Sequence, residues 1–269
     1  MKQTYLILRC VFIWLISWAH FVVAVPTLIV VALFIDPRKS DPFQRFFARN
    51  IVRLTGVKLV VKRSPGFDPA RTSIFIGNHV NLFDPFILYS AIPQYFRGWE
   101  LESHFRIPFY GWLMKRFGNI PVADQRTPGS MRRLVLQTRE ALASGVSLIV
   151  FPEGRRTLDG RVGPFQNGIF RLLRDLEVPI VPISVVGSFE FNRKNSLMLN
   201  PATITVHLHE TIDTANLSEA ERAALARKVF EIVSRPIDEH YGEPVSEDAN
   251  RAATGRERSR STGSDNRPT

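Results

Sequence analysis

The chain has 269 residues, with 35 Lys and Arg against 25 Asp and Glu, a formal net charge of +10. A hydrophobic content of 45% excludes disorder over most of that length. The one cysteine, Cys10, excludes a disulfide scaffold, and it also excludes cysteine-based zinc and a thiol nucleophile in the polar part of the chain.

The first element is apolar. From Cys10 to Ile35 there are 26 positions without Asp, Glu, Lys or Arg. As a helix they would reach about 39 Å, more than a bilayer core of roughly 30 Å. Pro26 removes a backbone donor, so residues 1–40 are predicted to be a membrane anchor, either one helix or a re-entrant hairpin of two half-helices. A buried core helix is the alternative. A signal peptide fits poorly, because the stretch is too long and lacks a small-x-small site before a polar start. Lys2 and Arg9 precede it, while Arg38, Lys39, Arg45 and Arg49 follow. The positive-inside bias places the following domain on the cytosolic side of an inner or cytoplasmic membrane.

Residues 41–242 read as one domain in which strand and helix patterns alternate. Ser73–Asn78 and Val146–Phe151 are short apolar runs bounded by turn formers, as buried strands are. Asp84-Pro85 predicts a helix start, with the aspartate as cap. Met131, Leu134, Val135, Thr138 and Leu142 share one helical face, and Gly145 closes that helix. Ile169, Leu172, Leu173 and Leu176 mark another helix, followed by a strand over Ile180–Val186 whose Pro182 predicts an edge or a bulge. Thr203–His209 alternates with period two, and Ser218 with Glu221 predicts a capping box for a last helix running to about His240. The fold class is therefore α/β, a mixed sheet flanked by helices. Residues 243–269 hold no aromatic residue and one large aliphatic one, Val245. Five arginines mixed with five acids predict a solvated, disordered tail rather than a nucleic-acid arm.

In such sheets the chemistry collects where strands end. The first junction is Asn78-His79-Val80-Asn81-Leu82-Phe83-Asp84. A histidine with a carboxylate five positions on can form a general base and its orienting partner, or a structural histidine beside a capping aspartate. The second junction, Phe151-Pro152-Glu153-Gly154-Arg155-Arg156-Thr157, offers a glycine for a tight turn and forked donors suited to phosphate. Glu153 would accept from substrate hydroxyls or position an arginine. A solvated charged turn is the competing reading of this junction.

Taken together, Asn-His-x4-Asp and, some seventy residues later, Phe-Pro-Glu-Gly-x-Arg resemble the glycerolipid acyltransferase family of the 1-acylglycerol-3-phosphate acyltransferase type. Two further blocks stand in the family's order, Gly118–Arg126 and Val178–Ile183. The chain departs from the pattern in three places. Asp124 and Arg126 are not adjacent, Arg155 stands where a small hydroxyl residue is common, and Phe165-Gln166-Asn167-Gly168 lacks a lysine before its glycine. The resemblance implies transfer of an acyl group from acyl-CoA or acyl carrier protein, used as co-substrate with no cofactor or metal, to the hydroxyl of a lyso-phospholipid. Lysophosphatidic acid leads, with other lysophospholipids or a lyso-aminolipid as alternatives. It implies His79 as base and Asp84 as its orienter. Glu153, Gly154 and Arg156, with Arg126, would bind the glycerol-phosphate portion.

Other classes lack their signatures. There is no Gly-x-Ser-x-Gly elbow and neither glycine-rich nucleotide motif. His207 and His209 share a strand face without an evident third metal ligand, which favours structural roles. Arg132, Arg133 and Arg139 would face lipid headgroups, a carrier protein or solvent. The non-enzymatic alternative is a basic membrane protein that binds anionic lipid without catalysis; nucleic acid is not an expected partner.

Overall fold

Apolar runs of four to seven residues, too short for helices and rich in Ile and Val, build the centre of the molecule. The computed structural model describes residues 2–124, 127–174 and 176–242. Arg126 and the predicted tail, 243–269, lie outside them. In chain order the elements are α1 (Lys2–Phe34), α2 (Asp41–Leu54), β1 (Lys58–Arg63), β2 (Ile74–Gly77), α3 (Asp84–Ala91), β3 (Phe96–Leu101) and α4 (Tyr110–Arg116). They continue with β4 (Ile120–Val122), α5 (Ser130–Ala143), β5 (Ser147–Val150), α6 (Asn167–Arg174), β6 (Ile180–Val186), α7 (Ser188–Phe191), β7 (Thr203–Leu208) and α8 (Glu219–Tyr241). The strands form one sheet in the order β1-β7-β6-β2-β5-β3-β4. All neighbours are parallel except β6 and β7. This is the mixed sheet the sequence predicts.

Because side chains alternate across a strand, neighbouring residues serve opposite cores. Ile74, Ile76, Leu148 and Val150 pack on one face with Leu134 and Leu142 of α5 and Val229 and Val233 of α8. Phe75, Ile149 and Val181 pack on the other with Ile51 and Val52 of α2 and Ile87 and Leu88 of α3. Helices on both faces explain why these strands are almost uninterrupted apolar sequence. Within α5 the buried stripe is Ser130, Leu134, Thr138 and Leu142, whereas Met131 is exposed because it lies off that i, i+4 line. Gly145 closes that helix at φ +78°, its N–H on the Leu142 carbonyl.

Pro182 does not mark an edge. The strand β6 lies inside the sheet, between β2 and β7. The ladder with β7 stops at Ile183–Leu208 and resumes at the Ile180–Ile212 bridge, so Val181 and Pro182 face His209, Glu210 and Thr211. The missing proline N–H is accommodated by that one-residue bulge, the second of the two outcomes expected.

The apolar first segment is a single helix, Lys2–Phe34, that continues through Pro26, so two half-helices are not formed. One side of α1 belongs to the domain. Cys10 and Ile13 are buried in the core shared with α2 and α3. Arg9 donates to the carbonyls of Thr55 and Leu199, and Trp14 Nε1 donates to Leu197 O at 2.7 Å. Near the other end Arg116 Nε donates to Ala32 O at 2.9 Å. The opposite side, with Leu8, Phe12, Leu15, Trp18, Val22, Leu33 and Phe34, is exposed.

Candidate active site

Register brings the two sequence motifs abreast. Ile76 of β2 sits beside Val150 of β5 in a parallel pair, so the third residues beyond them, His79 and Glu153, emerge side by side. On the other flank β2 pairs with β6, and Asn78 ties the strand ends by donating to Val185 O at 3.0 Å and accepting from Val185 N at 2.8 Å. Three adjacent carboxyl ends thus deliver three loops to one place.

His79 Nδ1 lies 2.8 Å from Asp84 Oδ2. The same oxygen accepts from the backbone N–H of Val80 at 2.6 Å and of Asn81 at 3.0 Å, and Oδ1 accepts from Ser188 Oγ at 3.2 Å. Asn81 Nδ2 in turn donates to Ser188 Oγ and O, both at 2.8 Å. Asp84 is fully buried, while the His79 side chain keeps 24% of its surface exposed. An aspartate held as acceptor by that many donors takes the Nδ1–H of the imidazole, leaving the Nε2 lone pair for the open side. The ring stacks on Phe151, with centroids 4.4 Å apart and planes 15° from parallel, which restricts its rotation.

Asp84 does not cap its helix as the sequence predicts. The N-cap position is Phe83, with no side-chain cap, and Asp84 is the first helical residue. Its carboxylate turns back onto the preceding loop, because the histidine and two loop N–H groups are better placed than those of the first turn.

Glu153 also departs from expectation. It is only 6% exposed, and its two oxygens accept from backbone groups, His79 N at 2.8 Å and Gly163 N at 2.7 Å. It therefore clamps three loop segments from inside rather than reaching for substrate hydroxyls. Burial pushes its carboxyl up to about 8, although both backbone donors pull it down. The Thr157 N–H adds a bond to His79 O at 2.9 Å.

Gly154 turns at φ +65°, and a Cβ there would collide with Gln166 Nε2, so the tight-turn reading of this glycine is correct. Arg155 is exposed. Arg156 is half-buried and lines a cleft of about 200 Å³ together with Trp14 and Leu82.

Ser188, Asn81, Phe151 and Gly163 were not singled out by the sequence. Ser188 lies 104 residues from Asp84 and has no local signature. Asn81 did leave a trace, as a polar residue inside the first motif. His207 and His209 form a separate group on β7 and just beyond it. Ser184 Oγ donates to Val233 O at 2.7 Å and receives His209 Nε2 at 2.8 Å, so that hydroxyl is no activated nucleophile. Burial lowers His209 to about 4. Among the described residues no cluster has the makings of a metal site.

Fold and site together define an α/β domain with a histidine–carboxylate pair and a glycine-arginine loop at adjoining strand ends. An acyltransferase family profile matches residues 58–186, which span β1 through β6. A chloroplastic 1-acyl-sn-glycerol-3-phosphate acyltransferase of Brassica napus is 31% identical over 140 residues, 52% of this chain and 40% of that protein. The 1-acyl-sn-glycerol-3-phosphate acyltransferase of Borreliella burgdorferi is 25% identical over 69% of this chain and 74% of its own length. The crystal structure of the 1-acyl-sn-glycerophosphate acyltransferase PlsC from Thermotoga maritima shares the fold, with a TM-score of 0.75 over 91% of this chain and all of that one, at 21% identity. Residues 58–186 thus match the acyltransferase family, and the relatives named here are of the 1-acyl-sn-glycerol-3-phosphate acyltransferase type. It spans about half the length of several curated relatives, 40%, 58% and 50% for three of them.

Proposed function

We propose that the protein transfers a fatty acyl group from an acyl thioester, carried by coenzyme A or acyl carrier protein, to the free hydroxyl of a lyso-phospholipid, first of all 1-acylglycerol-3-phosphate. The observation that carries this reading is the 2.8 Å contact between His79 Nδ1 and the buried Asp84 carboxylate. A thioester is already activated, so no covalent enzyme intermediate is required. His79 Nε2 takes the proton of the acceptor hydroxyl as its oxygen attacks the carbonyl carbon, and the departing thiolate takes that proton back. Asp84 orients the ring and stabilises its charged form. Gly154 and Arg156, with Arg126, bind the glycerol-phosphate portion, and Glu153 holds their loop against the histidine.

A membrane location supports the same reading, because acceptor and product both carry fatty chains. The apolar outer side of α1 is the surface that lipid would cover. Since α1 touches the domain from Arg9 to Ala32, it lies along the domain, and the chain rests on one side of the bilayer instead of hanging from a spanning segment. The test is transfer of labelled acyl groups to a panel of lyso-lipids by the full-length protein. His79→Ala is expected to lower the rate by about 10²–10⁴-fold with binding to vesicles unchanged. Undiminished transfer by that variant overturns the mechanism.

A further inference from the structure

Arg156 shares its cleft with a second arginine, Arg193. The cleft is lined by Trp14, Leu82, Arg156, Asn192, Arg193, Asn195, Ser196 and Leu197, none of them acidic. Among the described residues neither arginine has an ion-pair partner. Two uncompensated like charges beside one small cleft raise its affinity for an anion. The exposed Arg193 also has a neighbour: its guanidinium lies 5.0 Å from the centre of the Phe189 ring, and among the described residues its N–H groups have no hydrogen-bond partner.

The segment that carries Arg193 is built, not loose. It starts where α7 ends, four residues beyond the Ser188 that holds Asp84. Asn192 Nδ2 donates to Ser196 O at 2.9 Å and Met198 O at 3.0 Å, Asn200 N donates to Phe191 O at 2.9 Å, and Asn195 takes φ +64° to make the turn. Trp14 and Arg9 of α1 then pin it through the carbonyls of Leu197 and Leu199. A lining that combines two cationic groups with Trp14, Leu82 and Leu197 suits a molecule that carries both an anionic group and an apolar part.

We infer that Arg193 and Arg156 form a two-arginine clamp for the phosphate of the lyso-acceptor, with Arg193 selecting a phosphomonoester over zwitterionic headgroups. This rests on the acyltransferase reading. A dianionic phosphate can satisfy two forks at once, whereas a phosphodiester bearing a cationic group offers one negative charge and brings a repelling one.

The experiment uses the full chain in mixed micelles. Binding of lysophosphatidic acid is measured on the His79→Ala protein, which needs no turnover, and steady-state transfer is measured on the protein with His79 intact. Arg193→Ala should weaken binding and raise the acceptor KM by about 10–100-fold, with kcat changed less than about threefold. Its preference for lysophosphatidic acid over lysophosphatidylcholine should shrink, and Arg193→Lys should recover part of the loss. Lys228→Ala, one charge fewer on the outside of α8, controls for net charge. Binding and KM unaltered in Arg193→Ala, or equal losses on both acceptors, overturn the clamp. Arg193-dependent binding by a protein that transfers no acyl group supports the anion site and overturns the proposed reaction instead.

Discussion

The two longest helices, α1 and α8, have 33 and 23 residues, and each continues through an internal proline, Pro26 or Pro236. Beyond that they obey different rules. The helix α8 opens with the Ser218–Glu221 capping box and ends on Gly242 at φ +71°. It buries Leu225, Val229, Val233 and Ile237 and turns Glu219, Glu221, Arg227, Lys228 and Arg235 outward. In α1 the inner side is buried as in α8, but the outer side is equally apolar. A water-facing helix carries charge on that side, so the medium expected around α1 is different. The lesson is that burial against the protein accounts for only a minor part of the hydrophobicity of α1.

The largest contrast comes from placing a charge on each helix. Val229→Asp, at a position with no exposed surface, should cost about 4 kcal/mol or more and leave little folded protein in a thermal melt. Leu15→Asp on the outer side of α1, where 66% of the residue is exposed, should change stability by less than about 0.5 kcal/mol. It should instead move protein from vesicle pellet to supernatant. If both variants unfold, or neither leaves the vesicles, the contrast fails.

A smaller effect is expected on the inner side of α1. Trp14→Ala removes the bond to Leu197 O and the contact with Phe83, whose ring lies 6.0 Å away. The expected cost is about 1–3 kcal/mol, with a raised acceptor KM because the Asn192–Asn200 segment loosens. Smaller still is the corresponding change at the end of α8. There Arg161 pairs with Asp238 at 3.0 Å and lies over the Tyr241 ring, steadying the loop that carries Gly163. Asp238→Asn should raise the acceptor KM by about two- to fivefold, which kinetics against acceptor concentration would resolve.

A separate effect is one of pH. Glu153 binds a proton more readily folded than unfolded, because burial holds its carboxyl near 8. Between its ordinary value of 4.5 and about 8 the native state therefore carries the extra proton, and stability falls as pH rises through that window. Glu153→Gln should remove this slope, read as a melting temperature that no longer falls as pH rises across that window. A slope of the same size in that variant would assign it to another group.

How much of this was legible depended on distance along the chain. His79 and Asp84 are five residues apart, so one short loop declares them, as the spacing of Ser218 and Glu221 declares the capping box. Gly154 was legible because its turn is local. Glu153 was misread because nothing near it in sequence shows that its oxygens would meet His79 N and Gly163 N. Ser188 and Arg193 were invisible for the same reason. Ser188 reaches the site only because β6 lies beside β2.

What the sequence by itself determined is the strands β2, β5, β6 and β7, the helices α3, α5, α6 and α8, the mixed α/β class, the histidine–carboxylate pair and an apolar first helix, all consequences of local periodicity and short-range spacing. What only the tertiary structure decided is which ends of which strands adjoin, and hence which distant groups meet. Register in a sheet is set by both faces being buried at once, a condition no single segment contains. The same holds for α1. Its composition shows that it avoids water, but only packing shows that one side avoids it against the domain and the other does not.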